Sequence, residues 1–185
     1  MNTENHDEIS DVNQKHRSRF YELIGHCITS YQTVEDYLPE VFTCSLGIKQ
    51  EKADAMFSTV RGLETKLALI SAALTGAEKT IIAQWDELKT QVAAAAAIRN
   101  QIAHGTPITT VVFKAIQGVN GEPGTLIQTD PQRMELHKRN RAGEVRWTVE
   151  SLLIEAKGCD ALFRRLIAFK LSLTGQPVPP HLLME

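Results

Sequence analysis

Apolar residues recur at helical spacing over most of this chain. Phe20, Ile24, Cys27, Tyr31, Val34, Leu38 and Val41 follow gaps of four and three. That alternation lays one apolar stripe along a long helix suited to near-antiparallel packing. Pro39 is expected to kink or end the helix near Leu38, because its ring removes an amide and clashes with the preceding turn. Ser45-Leu46-Gly47 reads as a turn. A second pattern, Ala53, Met56, Val60, Leu63, Leu67, Ile70 and Leu74, predicts one helix from about 51 to 75 with Gly76 as its stop. A third, Ile81, Trp85, Leu88, Val92, Ala95, Ile98 and Ile102, predicts a helix that ends at His104, stopped by Gly105, Thr106 and Pro107. Its run of alanines, Ala93 to Ala97, has high intrinsic helix propensity because alanine loses no side-chain entropy on ordering.

The period changes after Pro107. Ile108 to Ile116 is β-branched and apolar and reads as a strand. Gly118 to Gly124 is a dense turn signal, and Thr125 to Thr129 is expected to pair back as a hairpin. Residues 130–143 are polar and basic and read as a loop or a short helix; Glu144 to Trp147 reads as a third short strand. A fourth helix is expected to begin near Thr148, with Thr148 as N-cap and Glu150 in the first turn, and to end at Gly175. The predicted fold is mainly α: an antiparallel four-helix bundle with a small β-hairpin insertion between helices three and four. Residues 1–9 are expected to be disordered, 10–175 to form a single helical domain with its insertion at about 107–147, and 176–185 to form a tail.

Composition narrows the function classes. With 185 residues, 43% of them hydrophobic, the chain suits one substantial core. A formal net charge of −2 excludes a broadly basic nucleic-acid binder, so any such contact must use a local patch. Cys27, Cys44 and Cys159 have neither CxxC nor zinc spacing and read as reduced thiols of a cytoplasmic protein. The polar N-terminus reads as lacking a signal peptide, and no apolar run approaches the length of a membrane span. There is no Walker loop, no GxGxxG after a strand, no HExxH and no GxSxG, so neither a cofactor nor a metal is expected. The glycines of 118–124 mimic a phosphate loop, but no Lys-Ser/Thr follows and no helix opens there, so the segment reads as a hairpin turn.

The candidate chemistry lies at the end of the third predicted helix, in Arg99, Asn100 and His104. Asn100 and His104 are four apart and share a face, while Arg99 lies about 100° round the helix but is long enough to reach the same spot. RNA cleavage needs a base for the 2′-hydroxyl, an acid for the leaving oxygen and positive charge near the phosphorane. An imidazole serves as base or acid near neutral pH, worth roughly 10² to 10⁴ in rate. A guanidinium offers permanently charged donors to phosphate oxygens, and the amide of Asn100 orients either partner. The helix dipole favours a His104 cation while Arg99 opposes it, so the choice of acid or base stays open. Arg19 and His26 have comparable spacing, but Phe20 follows the Arg and the pair lies inside helix one. Tyr31 and Glu35 are candidates for a supporting shell. Glu35 either orients Arg99 across the bundle or is a surface carboxylate, with the surface role preferred. Arg133, Lys138, Arg139 and Arg141 are candidates to grip RNA, although a charge run is most often a solvated face. His26, His137 and His181 read as structural or solvent-facing.

The segment Arg99-Asn100-Gln101-Ile102-Ala103-His104 resembles the motif of the HEPN superfamily, small helical-bundle proteins among which many are metal-independent ribonucleases. That motif is an Arg, usually followed by a polar residue, then a His after four to six intervening residues, near the end of the third bundle helix. Here four residues intervene and Asn100 takes the polar position. The resemblance covers roughly residues 17–105 and 148–174. It implies a HEPN-like bundle, a homodimer that brings two motifs into one cleft, RNA as substrate, and products with a 2′,3′-cyclic phosphate. It also implies a toxin or phage-defence role, with an antitoxin protein as a possible partner. The alternatives are a non-catalytic HEPN-like dimer that binds RNA, a nucleotide or a protein, and a plain helical scaffold. A His104 buried against its own bundle would exclude the enzyme.

Overall fold

The computed structural model describes residues 4–117, 123–140 and 143–182. Helix α1 (Glu4–Asp36) begins within the stretch expected to be disordered and carries the first apolar stripe. Helix α2 (Leu38–Leu46) follows almost at once, with Pro39 in its first turn. A proline fits there because the amide it lacks would have no intrahelical partner. Ser45 and Leu46, expected in a turn, close α2 instead, and Gly47 ends it at φ 62°.

The single helix expected over 51–75 is two helices, α3 (Gln50–Thr59) and α4 (Leu63–Ala73). Gly62 makes the break at φ 85°, a conformation that side chains with a Cβ rarely adopt. Met56, assigned to the apolar stripe, is exposed. Helix α5 (Lys79–Ala103) carries the alanine run.

Strands β1 (Thr106–Gln117), β2 (Pro123–Asn140) and β3 (Gly143–Trp147) form an antiparallel sheet in the order β1-β2-β3. Residues 130–140, expected as loop or short helix, are strand: the charged side chains alternate with apolar ones, and Met134 and Leu136 are buried. Leu136 pairs with Trp147, also buried, and an irregularity falls between Thr109 and Thr110 of β1. Most of the glycine-rich turn expected at 118–124 lies outside the described residues, as do Arg141 and the last three residues of the tail. Helix α6 (Val149–Leu173) opens on a reciprocal cap. The Thr148 amide donates to Ser151 Oγ at 2.8 Å, and the Ser151 amide donates to Thr148 Oγ1 at 3.3 Å.

The chain forms two compact units, one of residues 1–26 and 101–154, the other of residues 27–100 and 155–185. In the first, Phe20, Leu23, Ile102, Met134, Leu136, Trp147 and Leu152 are buried. The second holds a continuous apolar core around Tyr31, Val34, Leu38, Ile70, Trp85, Val92 and Leu166. Trp85 stacks on Phe169 with ring centres 5.8 Å apart and donates its indole N–H to Ser71 Oγ at 2.8 Å. Burying so large a ring without a partner for its N–H would be costly, and Ser71 removes that cost. The overall composition is mainly helical with one small antiparallel sheet. Among the described residues, no helix is long and apolar enough to cross a membrane.

Candidate functional site

Helices α1, α4 and α5 bring four of the polar side chains of the second unit together. Tyr31 and Glu35 are four apart on α1 and therefore share a face. Tyr31 is fully buried, and the Arg99 guanidinium lies over its ring, 5.0 Å from the centroid. This cation–π contact is worth about 0.5–2 kcal/mol. Glu35 Oε2 is 3.5 Å from Arg99 Nη2, and Glu35 Oε1 accepts from Lys66 Nζ at 3.0 Å. Glu35 is only 17% exposed, so the surface role preferred from sequence gives way to the supporting one. Lys66 had no place in the sequence argument. It lies far from Arg99 along the chain, and only the packing of α4 delivers it.

Burial pushes the Tyr31 phenol up to about 12; Glu35 pushes the same way and Arg99 opposes. The phenol is therefore uncharged at neutral pH. Its hydroxyl and the Nε of Arg99 are buried with no hydrogen-bond partner among the described residues. Asn100 is exposed.

His104 belongs to the first unit, in the turn that follows α5, and is exposed. The condition that would have excluded the enzyme, a buried His104, is not met. Its backbone carbonyl accepts from Lys138 Nζ at 3.3 Å, a cation placed where the helix dipole favours one. The helix stops next to Gly105 as expected, and Gly105 does so without a positive φ. The glycine is needed for space: a Cβ there would come within 2.5 Å of Leu136 Cγ.

The expected basic patch is dispersed along β2. Arg133 is exposed and 3.6 Å from Asp130. Lys138 turns to the His104 carbonyl, while Arg139 is exposed on the opposite face of the strand. His137, beside them, lies between two carboxylates, with Nδ1 2.7 Å from Glu144 and Nε2 2.9 Å from Glu135.

Other chemistry-bearing groups are shielded. Burial pushes the thiols of Cys27 and Cys159 up to about 11, so both stay protonated and weakly nucleophilic at neutral pH. Among the described residues, no group of three or more His, Cys, Asp or Glu side chains is placed to hold a metal ion. An apolar groove of about 490 Å³ between α5 and α6, lined by Ala94, Ala95, Ile98 and Leu162, includes none of the motif residues. No family model, no curated protein and no solved structure matches the chain.

Proposed function

We propose that this protein is a metal-independent endoribonuclease of the HEPN type, built on an antiparallel four-helix bundle and acting as a homodimer. Arg99 holds the scissile phosphate, Asn100 orients it or the imidazole, and His104 transfers a proton. One imidazole does not readily perform both proton transfers, so the second comes from the motif of another copy. The 2′-hydroxyl oxygen attacks phosphorus, the bond to the 5′-oxygen breaks with that oxygen taking a proton, and a 2′,3′-cyclic phosphate remains.

The observation that carries this reading is the state of Arg99. A part-buried guanidinium lies over the Tyr31 ring, 5.0 Å from its centroid, yet among the described residues its contact to an anion is a 3.5 Å one to Glu35. That is longer than the roughly 2.7–2.9 Å of a well-made charge-assisted bond. An arginine oriented but poorly satisfied is suited to an incoming phosphate. His104, five positions on, is open to solvent. By the resemblance, the biological role is that of a toxin or phage-defence effector held in check by an antitoxin.

The same cluster supports a second reading. Glu35 already offsets part of the charge of Arg99, as it would in a HEPN-like dimer that binds RNA or a protein partner without cleaving it. Incubating the purified protein with total RNA in EDTA, then mapping the new ends, separates the two. New 3′ ends with cyclic phosphates are expected; intact RNA at every protein concentration would leave the binding protein.

A further inference from the structure

Glu35 faces two cations at once. Its contact to Lys66 Nζ, at 3.0 Å, is close to a full charge-assisted hydrogen bond, while the one to Arg99 Nη2, at 3.5 Å, is long. Tyr31 is uncharged at neutral pH, since its phenol is pushed up to about 12. Two cations around one carboxylate leave the cluster one positive charge in excess.

Arg99 also retains donor capacity. A guanidinium carries five N–H donors in a planar fork. One Nη makes only the long contact to Glu35 among the described residues, while the Nε is buried away from solvent. The Arg99 side chain as a whole is 29% exposed, and that of Lys66 is 23% exposed. Both cations are thus part-exposed beside one carboxylate. A phosphodiester carries a single negative charge, which equals the excess, whereas a terminal phosphate carries nearly two.

We propose that Lys66 and Arg99 together seat one phosphodiester of a single-stranded RNA, with Glu35 holding the two cations apart and Tyr31 supporting the guanidinium. This deepens the ribonuclease reading and rests on it for the identity of the anion. Lys66 is thereby a phosphate-binding residue contributed by α4, and Glu35 is a positioning residue that limits affinity by its own charge.

The test measures binding of a fluorescent, single-stranded RNA whose riboses are 2′-O-methylated, so that no attacking hydroxyl is available. Affinity is followed against salt concentration by anisotropy. Lys66→Gln should lower the slope of log K against log[salt] by about 0.7, the share of one phosphate contact on a single strand. Arg99→Gln should do the same, and Lys66→Arg should keep the parental slope. Glu35→Gln should tighten binding. Melting temperatures equal to the parent's guard against a folding defect in each variant. A parental slope in Lys66→Gln overturns the proposal by leaving Lys66 as a structural partner of Glu35. Binding that depends on a 5′-phosphate on the probe also overturns it. The two readings fail separately. A parental slope in Lys66→Gln alongside cleavage that needs His104 removes only the phosphate seat. A lowered slope alongside cleavage indifferent to His104 removes only the ribonuclease.

Discussion

The phenol of Tyr31 is fully buried and its hydroxyl lacks a hydrogen-bond partner among the described residues. An unmet buried hydroxyl costs about 1–3 kcal/mol of desolvation, and the ring alone supports Arg99. Tyr31→Phe should therefore leave stability unchanged or raise it by up to about that amount. Tyr31→Ala should lose about 3–5 kcal/mol, because it empties part of the core. Urea denaturation of both variants checks this, and a Phe variant weaker than the parent would show that the hydroxyl is satisfied in solution. Such detail was only partly legible in the sequence. Tyr31 and Glu35 could be picked out because they are one turn apart on a strongly patterned helix. Lys66 could not, since nothing in its local spacing distinguishes it from other surface lysines.

Elements were most legible where one periodicity ran without interruption. The stripe that starts at Phe20 predicted a long helix, which α1 carries as far as Val34, and the end of α5 fell where Gly105 and Pro107 suggested. Periodicity misled where it continued across a break. Val60 and Leu63 keep helical spacing, but Gly62 at φ 85° separates α3 from α4. In β2 the charges hid the strand: Met134 and Leu136 alternate with Glu135 and His137, and the density of basic residues drew attention away from a period of two. Gly105 was identified as a boundary, but for a different physical reason from the one that operates. Its neighbour Leu136 is buried and has little room to give, so Gly105→Ala should cost about 1–3 kcal/mol through overpacking rather than backbone strain. Trimming the neighbour tests this. Leu136→Ala should relieve most of the extra cost of Gly105→Ala in a double-mutant cycle, whereas additive losses would point to the backbone.

For the whole molecule, the buried weak acids of the second unit set a limit at high pH. Cys27 and Cys159 are held up to about 11 from an ordinary value of 9.0, and Tyr31 to about 12 from 10.0. The folded chain keeps these protons to higher pH than the unfolded chain does, so unfolding releases them. Stability should be fully present below about pH 9 and fall as the pH rises towards 11 and 12. Urea midpoints across that range should decline, and Cys159→Ala should decline less steeply; a flat parental profile would contradict the burial of these groups. The proposed function rests in the sequence on a motif alone. Arg99 and Asn100 belong to one compact unit and His104 to the other. The most direct measurement is the rate of RNA cleavage by parent and His104→Ala protein, purified in parallel from nuclease-deficient cells and shown to melt alike. A loss of at least about 10² in rate is expected, the contribution of a positioned acid or base. Equal rates in the two preparations would contradict the assignment of His104 and, with it, the ribonuclease.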